Sequence, residues 1–503
     1  MPGFQDVHLN LVRGENYKFW VFGALSIGLF ASVADHGSVG VALPTIAEHF
    51  GTDLPTSQWV VIGYALTISA FLLPMGRLAD IVGRKKIYLL GTVILITMGI
   101  VAGFSPSIGA LIGAKLAQGI GSAMTQGTSM AMLIASFPSE ERGKALGLQM
   151  SVVGTGNVAG PAVGGFIVGA LGWEWVFFAT SVMATAGLVS AYLFIDSEQA
   201  DKGSALGQKF DWPGAALSTA TLLTFLQTLT WASILGFDDP AIILSFALFV
   251  GLLVAFIYWE LRTPSPMMDV RLFKRRLFSM GVGANFIGFI GMSSVRFLMP
   301  FYLQAVLALS PSQVGLTVVP GAICMIIMGP LSGRLSDRFG WRWFTMGGLL
   351  TSICGLLTLA TLTTSSHFAW AVVGMVLQSA GMGTFYPPNN SSVLSAVEPS
   401  KYGVISGFLN LVRNAGNLSG IAIATVMVTT TMAVLGHEPT LASVSSEGGA
   451  SLLAAFTSGL KVTYLGMSAI LLVGVAASAF RGRPIQFAEL VEGAGQPARQ
   501  GAD

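Results

Sequence analysis

A short polar motif occurs twice in this chain, each time between two long apolar runs. The first copy, Gly76–Lys85, reads Gly-Arg-Leu-Ala-Asp-Ile-Val-Gly-Arg-Lys, and the second, Gly333–Arg342, reads Gly-Arg-Leu-Ser-Asp-Arg-Phe-Gly-Trp-Arg. The copies begin 257 positions apart. Because the same motif recurs at the same place in two apolar arrays, it indicates an internal repeat, and such repeats are typical of membrane transporters.

The balance of apolar and charged residues predicts a membrane protein. Of the 503 residues, 53% are hydrophobic and only 10% are charged, whereas a soluble globular protein has about 25% charged residues. The apolar runs are continuous over about 20 residues, which predicts helices rather than the alternating strands of a barrel. The net charge of +2 gives no indication of nucleic-acid binding.

Fourteen apolar runs are each long enough to cross a hydrocarbon core of about 30 Å. They are 19–43, 57–79, 87–104, 108–136, 145–170, 173–195, 211–235, 240–261, 278–305, 312–333, 343–363, 368–394, 403–433 and 459–480. With the N-terminus in the cytoplasm, the loops on that side contain most of the basic residues, such as Lys85, Lys274 and Arg342, and the opposite side has essentially none besides Lys461. This asymmetry predicts a multi-pass protein of the plasma (inner) membrane with both termini in the cytoplasm.

The spacing of the repeat predicts how the helices are organised. The first motif follows run 2 and the second follows run 10, so two six-helix halves must be separated by two inserted helices, 211–235 and 240–261. Gln118 and Gln378 give a second pair of equivalent positions, 260 apart. The predicted segments are a cytoplasmic N-terminal segment (1–18), an N-terminal six-helix bundle (19–195), a linker with the inserted helices (196–277), a C-terminal six-helix bundle (278–480) and a disordered cytoplasmic tail (481–503).

Several kinds of functional site are not indicated by the sequence. Cys324 and Cys354 lie inside apolar runs, which favours packing over a disulfide framework. The five histidines show no metal-ligand spacing, and there is no Gly-rich phosphate loop. No nucleophile and base have the spacing of an enzyme. We therefore expect no metal, no cofactor and no enzymatic activity.

Three motifs resemble those of the major facilitator superfamily and, within it, the fourteen-helix drug:proton antiporters, and the resemblance covers essentially the whole chain. The repeated loop resembles the superfamily signature between helices 2 and 3. Gly156–Gly165 in run 5 resembles a motif associated with exporters. Asp35, nine positions before Pro44, resembles the helix 1 motif of the fourteen-helix group. The resemblance implies an all-α major facilitator fold with fourteen transmembrane helices.

Two of these motifs predict residues that control conformation. In the loop, an acid at a helix end can hold a neighbouring helix N-terminus or an Arg, and the resemblance implies that it latches the two halves in the outward-facing state. In run 5, spaced glycines allow another backbone to approach and a proline bends the helix. The residues assigned to these roles are Gly76, Asp80, Gly83, Arg84, Asp337, Gly160, Pro161, Gly164 and Gly165. The alternatives are a loop that only sets topology and a helix that only packs.

Charged residues inside the predicted spans are candidates for proton coupling, because ionisable groups in a bilayer are costly and mark functional sites. Asp35 is the clear acid among them and can bind and release a proton; the alternative is an acid that a helix partner merely satisfies. Lys115 occupies the place where the family pattern has Arg, and the resemblance implies that it pairs with the helix 1 acid or takes part in proton transfer. Arg413 resembles a common feature of the group.

Polar and aromatic residues of the central spans are assigned to a substrate cavity. They are Trp59, Tyr64, Phe289, Arg296, Tyr386, Asn389 and Asn414. For any one aromatic residue, packing in the core or against lipid is the alternative. The predicted spans contain one deep acid, Asp35, and three deep bases, Lys115, Arg296 and Arg413. The net charge of the cavity is therefore positive once Asp35 is protonated. This favours anionic, zwitterionic or neutral amphiphiles over organic cations, unless the bases are paired structurally.

The sequence therefore predicts a proton-coupled secondary exporter, an antiporter, of drugs or other amphiphilic small molecules that works by alternating access. Its expected partners are protons, an amphiphilic substrate and the lipid bilayer, without nucleic acid, and we expect a monomer. A transporter or flippase of lipid-like amphiphiles on the same fold is one alternative. A nutrient symporter is another, which the glycine-proline motif of run 5 disfavours.

Overall fold

The computed structural model describes residues 16–52, 54–138, 141–201, 209–235, 239–264, 266, 268–309, 311–398, 401–437 and 449–481. Within these ranges the chain is helical and has no β-strand. Fourteen of the helices have twenty or more residues: α1 (Tyr17–Phe50), α2 (Leu54–Val82), α3 (Arg84–Gly103), α4 (Ile108–Ser136), α5 (Arg142–Leu171), α6 (Glu174–Phe194), α7 (Trp212–Leu235), α8 (Pro240–Arg262), α9 (Arg276–Phe301), α10 (Pro311–Phe339), α11 (Trp341–Ala360), α12 (Phe368–Ser395), α13 (Tyr402–Val434) and α14 (Ala450–Ala479). Residues 1–15 and 482–503, which form most of the predicted N-terminal segment and tail, lie outside the described residues, as does the side chain of Pro44.

Two of the connections between helices consist of a single glycine. Gly83 separates α2 from α3, and Gly340 separates α10 from α11. Their φ angles are 119° and 86°, in a region that residues with a Cβ rarely adopt. Both glycines belong to the repeated loop motif, so each copy ends one long helix and begins the next within one residue.

Twelve helices within the described ranges are long and apolar enough to cross a membrane. The other two long helices are α4 and α7, whose sequences contain many hydroxyl and amide side chains. These polar groups lower the mean hydropathy, although both helices have the length of a span. The predicted count of fourteen membrane spans therefore stays a prediction.

The helices pack in two groups that meet along two seams. Helices α1 to α6 pack on one another, and so do α9 to α14. One seam is formed by α5 and α10, and the other by α2 and α13. This arrangement of two six-helix groups is the one that the internal repeat predicts, and the predicted segment boundaries themselves stay predictions.

The inserted helices α7 and α8 lie beside the second seam. Helix α7 packs against both α2 and α13, and Leu226 of α7 is buried between Leu66 and Ala415. Helix α8 packs mainly on α7 and leaves most of its surface exposed. The inserted helices therefore cover one of the two seams and not the other.

Candidate functional site

A buried ion pair joins α1 to α4. Lys115 Nζ donates to Asp35 Oδ2 at 2.7 Å and to Gln118 Oε1 at 2.6 Å, and both side chains of the ion pair are 1% exposed. Thr180 of α6 donates to the other carboxylate oxygen, Asp35 Oδ1, at 3.2 Å. Two charges at this depth must compensate each other, since removing either from water is costly. The structure thus brings together the helix 1 acid and the helix 4 base that the sequence proposes as partners.

Two aromatic rings enclose the Lys115 ammonium. Nζ lies 4.2 Å from the centroid of the Tyr64 ring and 5.5 Å from that of Phe177. Ring faces attract cations, so Tyr64 stabilises the ammonium besides shielding it from solvent. The His36 ring lies 6.1 Å from the Tyr64 ring, centroid to centroid. Tyr64 itself is only 2% exposed, and its hydroxyl lies within hydrogen-bond distance of Ser32 of α1 and Ser122 of α4.

The glycine-rich motif of α5 packs directly behind Asp35. A Cβ on Gly160 would lie 2.7 Å from the Ala34 carbonyl oxygen, and one on Gly164 would lie 2.6 Å from Ser38 Cα. Ser38 Oγ also donates to the Gly160 carbonyl at 2.7 Å. Backbones this close leave no room for larger residues. Any change in the angle between α1 and α5 must therefore move Asp35 relative to α5.

Pro161 and Gly165 complete the contact between α1 and α5. The Pro161 ring fills the space at Gly37, where an added Cβ would lie 2.8 Å from Pro161 Cδ. At Gly165 an added Cβ would lie 3.5 Å from Val41 Cγ1, which is an ordinary van der Waals distance. Tight packing is therefore concentrated on the turn that precedes Gly165. Whether these residues control conformation stays a prediction.

The acid of the first loop motif joins the two groups of helices. Asp80 Oδ1 accepts a hydrogen bond from Arg84 Nε at 2.8 Å, and both side chains are 0% exposed. Asp80 Oδ2 accepts the backbone N–H of Val404 at 3.1 Å. Val404 lies in the first turn of α13, where N–H groups have no partner within the helix. Gly76 lies one turn before Asp80, close to Gly127 of α4.

The acid of the second motif makes the equivalent contact in the opposite direction. Asp337 accepts the backbone N–H groups of Gly143 at 3.0 Å and Lys144 at 3.1 Å, in the first turn of α5. Gly333 and Gly143 lie in direct backbone contact. Each copy of the motif thus caps a helix of the other group. We call the end of the molecule where both contacts occur the motif end.

Arg296 of α9 borders a space between the two groups of helices. Its side chain is exposed to solvent, although protein surrounds it at longer range. His36 of α1 is exposed in the same way, and the charges of Arg296 and Lys115 both act on its ring. Side chains from the two groups therefore face a common space next to the ion pair.

Arg413 and Asn414 of α13 both bond to the N-terminal group of helices. Arg413 Nη2 donates to Gln126 Oε1 of α4 at 3.3 Å, and Asn414 Nδ2 donates to Ser69 Oγ of α2 at 3.0 Å. Arg413 and Gln126 also line a cavity of about 10 Å³, which has room for about one water molecule. Trp59 packs on the cluster between α2 and α7.

The remaining residues assigned to the cavity are buried in the C-terminal group. Phe289 and Tyr386 pack edge to face, with 5.5 Å between ring centroids. Asn389 is 0% exposed; it donates to the Gly281 carbonyl at 3.1 Å and accepts a hydrogen bond from Arg481. Burial lowers the pKa of Arg481, which follows α14, to about 9. A substrate role for these three assigned residues stays a prediction.

Sequence reasoning missed Thr180 and Gln126. No signal in the sequence distinguishes Thr180 from the other Ser and Thr residues of its apolar run. Gln126 follows Lys115 by eleven positions and Ser122 by four, so all three lie on one face of α4. A helical wheel of run 4, drawn from the charged residue, would have placed Gln126 on the functional face.

Residues 25–421 match the sequence profile of the Major Facilitator Superfamily. The chain belongs to this superfamily. It is 31% identical to the riboflavin transporter RibZ of Clostridioides difficile (strain 630), over 80% of this chain and 87% of that protein. It is also 30% identical to the multidrug resistance protein Stp of Mycobacterium tuberculosis, over 80% of this chain and 74% of that protein. Members of the superfamily are multi-pass membrane proteins that transport small molecules.

Solved structures of superfamily members share this fold. The human organic anion transporter MFSD10 (TETRAN) aligns with a TM-score of 0.65 over 92% of this chain and 99% of that chain, at 16% sequence identity. The proton:xylose symporter XylE aligns with a TM-score of 0.64 over 95% and 99%, at 14% identity. At these identities the likeness establishes the major facilitator fold alone.

The buried ion pair of this superfamily member predicts an asymmetric response to charge removal. Asp35→Asn leaves the Lys115 ammonium buried without an anion, so we expect a loss of about 3–5 kcal/mol of stability. Asp35→Asn combined with Lys115→Met removes both charges and should restore much of that loss. The measurement is the thermal unfolding of purified protein in detergent.

The ion pair of Lys18 and Glu141 provides a matched control. Its N···O distance is also 2.7 Å, but its side chains are 20% and 35% exposed. Glu141→Gln should therefore change stability by less than about 1 kcal/mol.

The double variant at Asp35 and Lys115 provides the decisive comparison. If it loses as much stability as the sum of the losses in the two single variants, the interpretation of the pair as mutually compensating charges is contradicted.

The two loop acids should differ in their contribution to stability. Asp80→Ala leaves the Arg84 guanidinium buried without its carboxylate, with an expected loss of about 3–5 kcal/mol. Asp337→Ala removes helix-cap hydrogen bonds at an exposed position, with an expected loss of about 1 kcal/mol. Thermal unfolding of the two variants, compared under identical conditions, tests the order. Equal losses would show that burial of Asp80 and Arg84 is not what separates the two copies.

Proposed function

We propose that this protein is a proton-coupled exporter of drugs or other amphiphilic small molecules, of the fourteen-helix drug:proton antiporter type. The observation that supports this most directly is the buried ion pair of Asp35 and Lys115. An ionisable pair at membrane depth is retained where it performs a function. Binding of a proton by Asp35 removes the negative charge and leaves a buried cation, which changes the stability of the conformation around it.

The packing of α1 on α5 supports a link between that proton and conformational change. Asp35 lies on the helix whose backbone contacts Gly160 and Gly164. A close backbone contact permits few arrangements, so a change at Asp35 favours one helix angle over another rather than a gradual drift. The contacts of Asp80 and Asp337 hold the motif end closed. In this proposal they are released together when the transporter opens at that end.

The distribution of basic residues supports an orientation for this cycle. Lys85, Arg142 and Arg342 lie at the motif end, as do most of the Lys and Arg residues between helices. Retention of basic residues favours a cytoplasmic location of that end. Both termini then lie in the cytoplasm, the protein lies in the plasma membrane, and the closed motif end corresponds to an outward-facing state.

The functions for which several relatives are named support an amphiphilic substrate. They include multidrug resistance, methylenomycin A resistance and tetracenomycin C export, at 26–30% identity. Riboflavin is the substrate named for another relative. Resistance to drugs or antibiotics is the function that most of these relatives share by name, and one of them is named as an export protein.

Antiport predicts the direction of gradient-driven uptake in proteoliposomes. When the vesicle lumen is acidic, protons move out of the vesicle down their gradient. An antiporter should couple this outward movement to the uptake of a neutral probe, riboflavin, into the vesicle. Asp35→Asn should abolish this gradient-driven uptake, because the residue can no longer release a proton. Uptake driven by an acidic exterior instead would indicate a symporter and contradict the proposal.

The charge of the central space predicts which amphiphiles bind. Arg296 borders this space, and the only anion of the neighbouring ion pair is neutralised when Asp35 is protonated. Anionic sulforhodamine B should therefore bind more tightly than cationic rhodamine 6G, which has the same ring system. Arg296→Gln should weaken binding of the anionic probe about tenfold, or about 1.4 kcal/mol, and leave riboflavin binding nearly unchanged. Tight binding of the cation, without binding of the anion, would reject this preference.

A further inference from the structure

Three buried hydroxyl groups from three helices form a closed set of hydrogen bonds beside the ion pair. The Tyr64 hydroxyl lies 2.7 Å from Ser122 Oγ and 3.3 Å from Ser32 Oγ, and the two serine oxygens lie 2.9 Å apart. The three residues are at most 3% exposed. We call them the hydroxyl triangle. Since each hydroxyl can donate or accept, the triangle can reverse its hydrogen bonds with little movement of heavy atoms.

Tyr64 links the hydroxyl triangle to the ion pair. Its ring lies over Lys115 Nζ, and its hydroxyl is a vertex of the triangle. When Asp35 binds a proton, the ammonium keeps Gln118 and the Tyr64 ring as its principal partners. A buried ammonium that has lost its anion interacts more strongly with the hydrogen-bond acceptors that remain near it. The Tyr64 hydroxyl oxygen is a candidate acceptor, because the ring of the same side chain already covers the ammonium. A change at Asp35 therefore reaches the triangle through one residue.

Gln126 links the hydroxyl triangle to the C-terminal group of helices. Its Nε2 donates to Ser32 Oγ at 3.3 Å, and its Oε1 accepts from Arg413 Nη2 at 3.3 Å. Its backbone carbonyl accepts from Asn410 Nδ2 at 3.4 Å. A carboxamide suits this position because it donates on one side and accepts on the other. The chain of contacts from Asp35 to Arg413 is thus continuous across the two groups.

The titratable and charged groups around Asp35 are few. Lys115 faces it from α4, Tyr64 lies on α2, His36 is its neighbour on α1, and Arg296 approaches from α9. Helix α5 beyond its first turn, and α6 between its first and last turns, contain no titratable side chain. Among the groups of these helices, a response of this region to pH must therefore start within this small set, and the proposal assigns it to Asp35.

We propose that Gln126 is a positioning residue that transmits the protonation state of the Asp35–Lys115 pair, through the hydroxyl triangle, to Arg413 and the C-terminal group of helices. This inference rests on the proposed proton-coupled function. With Asp35 ionised, the triangle holds Gln126 where it accepts from Arg413 and favours closure of the motif end. With Asp35 protonated, the triangle rearranges, the bond to Arg413 is lost and the motif end opens.

The bond between Ser69 and Asn414 distinguishes transmission from simple adhesion. It also joins the two groups, at 3.0 Å and one residue from Arg413. Besides this bond, Ser69 Oγ donates only to the Ala65 carbonyl of its own helix, so it has no hydrogen bond to the triangle. Ser69→Ala therefore removes a comparable contact between the groups and leaves the chain from Asp35 intact.

The test is the distance across the motif end as a function of pH. Spin labels at Lys86→Cys on α3 and Arg342→Cys on α11, both exposed positions, report that distance once Cys324 and Cys354 are replaced by Ala. We expect acid to raise the open-to-closed ratio of the otherwise unaltered protein about tenfold. Gln126→Ala should lose this acid-induced shift. Ser69→Ala should retain it, even if its ratio is offset at every pH.

Ser122→Ala provides a second variant that tests the same chain of contacts. Ser122 touches neither Arg413 nor Asp35 through a hydrogen bond in this structure, so loss of the shift in this variant supports transmission through the triangle. A normal acid-induced shift in both Gln126→Ala and Ser122→Ala would overturn the role of Gln126. Absence of any shift in the protein without these substitutions would instead reject the proton-coupled function on which the inference rests.

Discussion

A charge that enters a low-dielectric bilayer needs compensation from the protein itself, and this requirement organises the N-terminal half of the molecule. Asp35 and Lys115 neutralise each other, Gln118 and Thr180 each add one hydrogen bond to the pair, and Tyr64 covers the ammonium. Tyr64 lies on α2, Gln118 lies on α4 and Thr180 lies on α6, whereas Asp35 lies on α1. The pair therefore fixes the relative positions of four helices, and the glycines of α5 fix α1 from its other side.

The internal repeat accounts for closure of the motif end but not for the chemistry at the centre. Asp80 and Asp337 lie at equivalent positions and each caps a helix of the other group. The position of Lys115 has no such counterpart, because the second copy of the helix 4 pattern has Met375 three positions before Gln378. Closure can therefore be symmetric, whereas the ionisable pair acts from one half only.

Much of the fold and part of the site could be predicted from the sequence. Apolar runs predict helices because a bilayer leaves few other ways to satisfy backbone groups. The pairing of Asp35 with Lys115 is one of the two roles that the family resemblance implies for Lys115. The environment of Asn389 could not be predicted, because its partner Arg481 lies 92 positions later. Gln126 was missed because a neutral amide does not reveal from sequence which of many possible partners it binds.

The two copies of the motif also differ in what surrounds their first arginine. Arg77 is 7% exposed and lies within electrostatic range of Asp80, Glu260 of α8 and Asp211, which precedes α7. Arg334, at the equivalent position of the second copy, is exposed. Glu260 of an inserted helix and Asp211, which lies just before one, therefore help to compensate a buried cation of one copy, at the seam that α7 covers. Identical residues in the repeat thus have different energetic roles, because a neighbour present on only one side changes their solvation.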